Sequence, residues 1–365
     1  MSSNNEEKQK FKILALDGGG IRGVVTACIL QEVRDQVGKP LNQHFDLIAG
    51  TSTGSILAAG LAIGMKPKDL IKVYQERGRE IFHSSWFQKK GSWFQGPKYS
   101  HKGLIKVLQE KLGEITLRQV DEIPSTETEL LILAYDMLHR NTTFFTSKCP
   151  ESNRWFNDMK LWEICVASSS APTFFPPYEF RWTDPNDSEK KEWGLPHIDG
   201  GVSANCPALA ALSHVMKVRK KSLEDISILS IGTGRTTHPI KYKMVKNLGK
   251  IGWGSKVTDI FMGGQIQLAT DTCQEVITSI YPKGYLRLQF DINQAFGERK
   301  NPLSPRPLLD KKERKNQFIG KRISEAMDDS SQKTIEELIE AATKFTKSNS
   351  ETIQEFIKNQ QPVST

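Results

Sequence analysis

Membrane-length apolar runs, paired cysteines and internal repeats are all missing from this sequence, and each absence narrows what the chain can be. Its five cysteines (Cys28, Cys149, Cys165, Cys206, Cys273) are odd in number and no two stand in a C-x-x-C spacing, which argues against a disulfide scaffold or a structural zinc site. The N-terminus MSSNNEEKQK is polar and runs straight into FKILAL, without the regions of a secretion signal; residues 1–10 are expected to be disordered and the protein cytoplasmic. The longest small and apolar run, Leu47 to Met65, carries five Gly, Ser or Thr residues in its first eight positions and reads as strand, turn and helix. Contact with lipid would therefore be peripheral and transient. No self-similarity at a period of about 20 to 50 residues is visible, which removes solenoids and propellers.

What is present is an ordinary globular balance. Of 365 residues, 38% are hydrophobic and 25% charged, enough apolar material for a full core. The net charge of +8 suits an anionic partner such as phospholipid, nucleotide or nucleic acid. Ten Lys and Arg between Lys217 and Lys256 face only Glu224 and Asp225, so this stretch accounts for the whole surplus. Nucleic acid is not expected, because no recognised binding module accompanies the charge, and anionic lipid is the simplest partner.

Short apolar strands alternate with helical patterns. Strands are expected at Phe11 to Leu16, Phe45 to Ala49, Leu130 to Tyr135, Asn141 to Thr146 and Ile226 to Ile231. Helices are expected at Ile21 to Val37, from about Thr53, and at Lys102 to Leu112, Lys160 to Ser168 and Pro207 to Val218. This order predicts an α/β fold, a largely parallel sheet with helices on both faces. From Arg299 onward a Pro-rich segment gives way to Lys/Glu-rich helices. Ile335, Leu338, Ile339, Ala342 and Phe345 make one apolar stripe there, so residues 299–365 read as a helical appendage on a main domain of residues 11–298.

Three constellations carry chemistry. Asp17-Gly18-Gly19-Gly20-Ile21-Arg22-Gly23 lies between a strand and a helix, where backbone N–H groups can face an anion. It satisfies G-x-G-x-x-G, so a nucleotide-binding protein using Gly18 to Gly23 is one reading, weakened because Asp46 begins the second strand instead of ending it. Gly50-Thr51-Ser52-Thr53-Gly54 is a G-x-S-x-G between a strand and a helix, the setting of a nucleophile elbow. Its alternative is an N-cap serine. Asp199-Gly200-Gly201 is a turn when taken alone. Together the three supply a nucleophile, a base and oxyanion donors.

In this order the motifs resemble the patatin-like phospholipase family, with its DGGGxRG loop, GxSxG elbow and downstream DG[GA] aspartate. The resemblance extends through Ala167-Ser168-Ser169-Ser170-Ala171-Pro172 and Leu229-Ser230-Ile231-Gly232-Thr233-Gly234. It implies a three-layer α/β fold and a lipid acyl hydrolase of the phospholipase A or lysophospholipase type, with no cofactor and no metal. Ser52 would attack the ester carbonyl and Asp199 would take its proton. The N–H groups around Gly18, Gly19 and Gly20 would hold the oxyanion, with Arg22 ordering that loop and Gly50, Thr53, Gly54, Gly200 and Gly201 supporting the site. Bacterial patatin-like effectors that respond to cyclic nucleotides make a nucleotide-activated regulatory protein a further reading.

A carboxylate of ordinary pKa, near about 4, is a poor base for a serine hydroxyl, so the oxyanion donors must supply much of the catalysis. Neither His214, in a helical pattern, nor His238, in a basic loop, has a triad setting. His197 precedes Asp199 by two residues and would point to its side of an extended strand, where a structural histidine is the commoner outcome. Between Phe82 and Tyr99 the unit Ser-Trp-Phe-Gln occurs twice, with Trp86 and Trp93 beside Lys89, Lys90 and Lys98. That pattern fits either a membrane-interface segment or a loop folded over the core.

Overall fold

Alternate residues along the central strands face opposite ways, and here both faces are covered, so the strands read as unbroken apolar runs. The computed structural model describes residues 10–82, 96–148, 154–299, 301 and 303–360. Its strands are β1 (Phe11–Leu16), β2 (Leu47–Thr51), β3 (Glu129–Asp136), β4 (Asn141–Thr146), β5 (Tyr178–Thr183), β6 (Glu192–Asp199), β7 (Ile226–Ile231) and β8 (Tyr285–Leu288). Among the described residues they form one eight-stranded sheet in the order β5-β6-β3-β2-β1-β7-β8, with β4 also paired to β3. Pairings β1–β2, β1–β7, β2–β3 and β7–β8 are parallel, whereas β3–β4, β3–β6 and β5–β6 are antiparallel.

The helices are α1 (Gly23–Val37), α2 (Thr53–Ala62), α3 (Pro67–Ile81), α4 (Lys102–Leu112), α5 (Leu161–Ser168), the short α6 (Gly201–Ala204), α7 (Ala208–Val218), the short α8 (Tyr242–Val245), α9 (Lys250–Thr278), α10 (Gln332–Ser348) and α11 (Ser350–Asn359). Leu14, Leu16, Ile48, Leu130 and Ile132 point to the layer holding α1, α2 and α5. Ile13, Ala15, Leu47, Ala49, Leu131 and Leu133 point to the layer of α7 and α9. In α10, Ile335, Leu338, Ala342 and Phe345 are buried in the first of these cores, against α1, and Ile339 is partly buried. Ser331 caps this helix by accepting the Thr334 N–H.

Two differences from the sequence-based expectation have physical causes. The second strand runs Leu47–Thr51, two residues later than expected, because Leu41–Gln43 form a 3-10 turn and pairing with β3 continues to the elbow. The long α9 is absent from the expected helices, since Gly252, Gly254, Gly263 and Gly264 depress its intrinsic helicity. Of residues 1–10, expected to be disordered, the first nine lie outside the described residues, as do the two Ser-Trp-Phe-Gln units, while Lys10 is described and its Nζ donates to the Glu224 carbonyl at 2.7 Å. Among the described residues no helix is long and apolar enough to cross a membrane.

Candidate active site

The chain order β1, β2, then β7 on the other side of β1 opens a crevice at the carboxyl ends of β1 and β2, where open α/β sheets place their ligands. The glycine loop leaves β1 at this point and Ser52 leaves β2. Thr51 pairs with Leu133 on β3, and the next residue, Ala134, pairs with Asp199 on antiparallel β6. A residue remote in the chain is thereby delivered to the nucleophile.

Ser52 holds φ 54° and ψ −128°, a conformation a side-chain-bearing residue adopts only when its surroundings enforce it. The enforcement is visible. A Cβ on Gly54 would stand 2.2 Å from the Leu16 carbonyl oxygen, and one on Gly50 would stand 2.3 Å from the Gly54 carbonyl oxygen. The Ser52 N–H donates to Ser168 Oγ at 2.9 Å, and Ser168 Oγ donates to the Leu133 carbonyl at 2.6 Å. The same corner holds the acid, since the Asp199 N–H donates to the Ser170 carbonyl at 3.0 Å and the Gly200 N–H to that of Ser168 at 3.2 Å.

Ser52 Oγ lies 2.7 Å from Asp199 Oδ2 and donates to it. The hydroxyl therefore does not cap α2, although Ser52 occupies the N-cap position. Asp199 Oδ1 accepts the Gly201 N–H at 2.7 Å. Burial pushes the Asp199 carboxyl up to about 6, against the opposing pull of the Ser52 hydroxyl and the Gly201 N–H.

The three loop glycines are not equivalent. The Gly18 N–H is spent on the Asn205 carbonyl at 3.1 Å, and a Cβ there would meet Asn205 Oδ1 at 2.3 Å, so Gly18 packs behind the site. Gly19 and Gly20 line the cavity with Ser52 and Thr53, and among the described residues their N–H groups have no acceptor. Ile21 and Arg22 spend theirs on the Met327 and Gly19 carbonyls. Asp17, itself buried, anchors the loop through a bidentate pair with the partly buried Arg287, whose Nη1 donates to Asp17 Oδ1 at 2.9 Å and to Ser230 Oγ at 2.7 Å. Arg22 is buried too, with Nη1 2.9 Å from Thr236 Oγ1, which ties the loop to the segment after β7.

A cavity of about 350 Å³ opens over Ser52, walled mainly by apolar side chains such as Ile56, Ile81, Phe174, Phe175, Phe261 and Met327. The patatin-like phospholipase family model matches residues 14–212, which run from within β1 into α7 and include the glycine loop, Ser52 and Asp199. The chain belongs to the patatin-like phospholipase family. It is similar to Patatin-T5 of Solanum tuberosum, 36% identical over 272 residues, covering 67% of this chain and 65% of that protein. It is also similar to Patatin-like protein 1 of Arabidopsis thaliana, 34% identical over 272 residues, covering 66% of this chain and 63% of that protein. The match thus spans under two thirds of the length of each of these two relatives. Among solved structures, human GIVD cytosolic phospholipase A2 superposes with a TM-score of 0.47 at 10% identity, over 96% of this chain and 63% of that one.

In this patatin-like chain His197 is fully buried. Its Nε2 lies 2.9 Å from Thr143 Oγ1 and its Nδ1 3.0 Å from the Leu195 carbonyl, amid Phe145, Trp155 and Phe180. Neither ring nitrogen bonds Asp199. His214 pairs with Glu129 at 2.7 Å, and His238 is exposed. Ser168 belongs to a stretch legible in the sequence, but its role in holding the elbow does not show there. Arg287 lies 270 residues from Asp17 and carries no local signal that sequence reasoning could find. Equally hidden is the wall supplied by Val257, Phe261, Met262 and Gln265 of α9.

Proposed function

We propose that this chain is a lipid acyl hydrolase that releases fatty acid from phospholipid or a related acyl lipid, with Ser52 as nucleophile and Asp199 as general base. The observation that carries this reading is the 2.7 Å contact between Ser52 Oγ and Asp199 Oδ2 at the foot of an apolar cavity. A carboxyl poised at about 6 is a better proton acceptor for a serine hydroxyl than one of ordinary acidity, and still loses its own proton near neutral pH. As Oγ bonds to the ester carbonyl carbon, its proton passes to Asp199. The negative charge on the carbonyl oxygen is met by the Gly19 and Gly20 N–H groups and by the start of α2. Collapse expels the alcohol, which takes the proton from Asp199, and leaves an acyl-Ser52. Water then attacks this ester with Asp199 again as base, freeing the fatty acid.

The apolar wall supports an acyl chain as the group held. The glycine loop, with its Gly18, Ile21 and Arg22 N–H groups turned inward, keeps few donors for a nucleotide phosphate. A phospholipase A or lysophospholipase type of reaction on a membrane surface is the finer form of the proposal. Incubation with a panel of diacyl and monoacyl lipids, with and without cyclic nucleotides, followed by mass spectrometry of products, tests both. Absence of free fatty acid from every lipid, together with no fluorophosphonate adduct on Ser52, would overturn it.

A further inference from the structure

Three stripes of α9 have different surroundings. Ile266, Ala269, Cys273 and Ile277 face the core against α7 and β8. Val257, Phe261 and Gln265, four residues apart, form part of the cavity wall. A third stripe faces solvent: Trp253 is 40% exposed, Ile260 41%, Phe261 64% and Leu268 68%. Spacings of seven, one and seven residues put these four on one outward face. The segment just before the helix adds Ile240, Tyr242 and Met244, also exposed, and Val202 on the cavity wall is 41% exposed. Seven large exposed apolar side chains within residues 240–268, one of them, Phe261, on the cavity wall, are more than the singly scattered exposure of an ordinary monomer surface.

The charge of this face is one-sided. Lys241, Lys243 and Lys246 are exposed and interleave with Ile240, Tyr242 and Met244. From residue 240 to residue 268 the sequence holds five lysines against the single acidic residue Asp259, and acidic side chains return at Asp271 and Glu275, where the apolar stripe has ended. Apolar side chains bracketed by lysine are what an anionic lipid surface accommodates, with the rings and aliphatic groups entering the acyl boundary while the ammonium groups meet phosphate.

We propose that residues 240–268, α8 and the first part of α9, form the surface on which this protein docks onto an anionic phospholipid bilayer. Phe261 belongs both to the outward stripe and to the cavity wall, so a bilayer seated there brings its acyl chains to the cavity mouth. Docking stands apart from the acyl-hydrolase reading, on which only the fate of the delivered lipid rests.

The test uses the full chain with vesicles of phosphatidylcholine alone and of phosphatidylcholine mixed with phosphatidylglycerol, followed by co-sedimentation. Wild type should bind the mixed vesicles and release them at high salt. Trp253→Ser combined with Leu268→Glu, neither on the cavity wall, should lower binding about tenfold or more, and Lys241→Glu with Lys243→Glu about tenfold. Both variants should keep the wild-type melting temperature and cleave a short soluble ester at the wild-type rate. Unchanged vesicle binding in both variants would overturn the proposal. So would a wild-type dimer in light scattering that Leu268→Glu dissolves, since the face would then belong to a second copy. A wild type that binds vesicles as expected but neither cleaves the soluble ester nor takes a fluorophosphonate would uphold the docking surface and defeat the acyl-hydrolase reading.

Discussion

Glycine serves opposite ends on the two sides of the cavity. Around Ser52, Gly18, Gly50, Gly54 and Gly200 have no room for a methyl group, each being pressed against a backbone carbonyl or a buried side chain. In α9, Gly263 and Gly264 have nothing within 4 Å of where a Cβ would stand. The elbow wall is therefore determined by close contact and holds a strained serine in one place. The α9 wall is a helix weakened by residues that packing does not require. Close packing thus surrounds Ser52 and Asp199, whereas Gly263 and Gly264 stand free of close contact on the helix that forms the opposite wall.

The largest effect should come from the tight side. Ser52→Ala should reduce fatty-acid release by roughly 10⁴-fold or more and abolish fluorophosphonate labelling, with the fold retained. Labelling at the wild-type level in that variant would move the nucleophile elsewhere.

Asp199→Asn should lower turnover by about 10² to 10⁴-fold. In wild type the rate should climb as pH rises through about 6, where Asp199 gives up its proton, and this rise should vanish in the variant. Stability should move the other way. The carboxyl binds its proton more tightly folded than unfolded, so stability is highest below the unfolded pKa and falls as pH rises through about 6. Asparagine escapes that loss and should gain about 3 kcal/mol at pH 7.5 over wild type, and almost nothing at pH 3.5, in denaturant titrations.

Gly54→Ala should cost about 1–3 kcal/mol, because the Leu16 carbonyl must move, and should slow turnover of even a short ester by displacing Ser52. Urea unfolding and soluble-ester kinetics on the same preparation check both halves.

The smallest effect is expected on the loose side. Gly263→Ala and Gly264→Ala should each stabilise by about 0.5–1 kcal/mol, with soluble-ester cleavage unchanged. Destabilisation there would mean that α9 needs its glycines for close packing after all, and the contrast between the walls would collapse.

Much of this fold and site is legible in the residues themselves. Strands such as Ile226–Ile231 and Asn141–Thr146 declare themselves by apolar or β-branched runs, and the elbow by small residues between a strand and a helix. The antiparallel arm β5–β6 does not, since its exposed outer end, with Glu192, Trp193 and Gly194, carries no buried run. Nor can the glycine triplet reveal that Gly18 turns its N–H inward while Gly19 and Gly20 face the cavity, because that depends on where Asn205 lies.

By itself the sequence determined the local chemistry: which residues turn sharply, which strands are buried on both faces, and which side chains can attack, accept a proton or carry charge. All of this depends on spacing and residue type within a few turns of chain. Only tertiary structure decided that Asp199 meets Ser52 across 147 residues, that Arg287 reaches back to Asp17, that His197 is walled off among aromatic rings, and that α9 closes one side of the cavity. Each of those depends on strand register and layer packing, which arise from contacts between distant segments and leave no periodic trace in either segment alone.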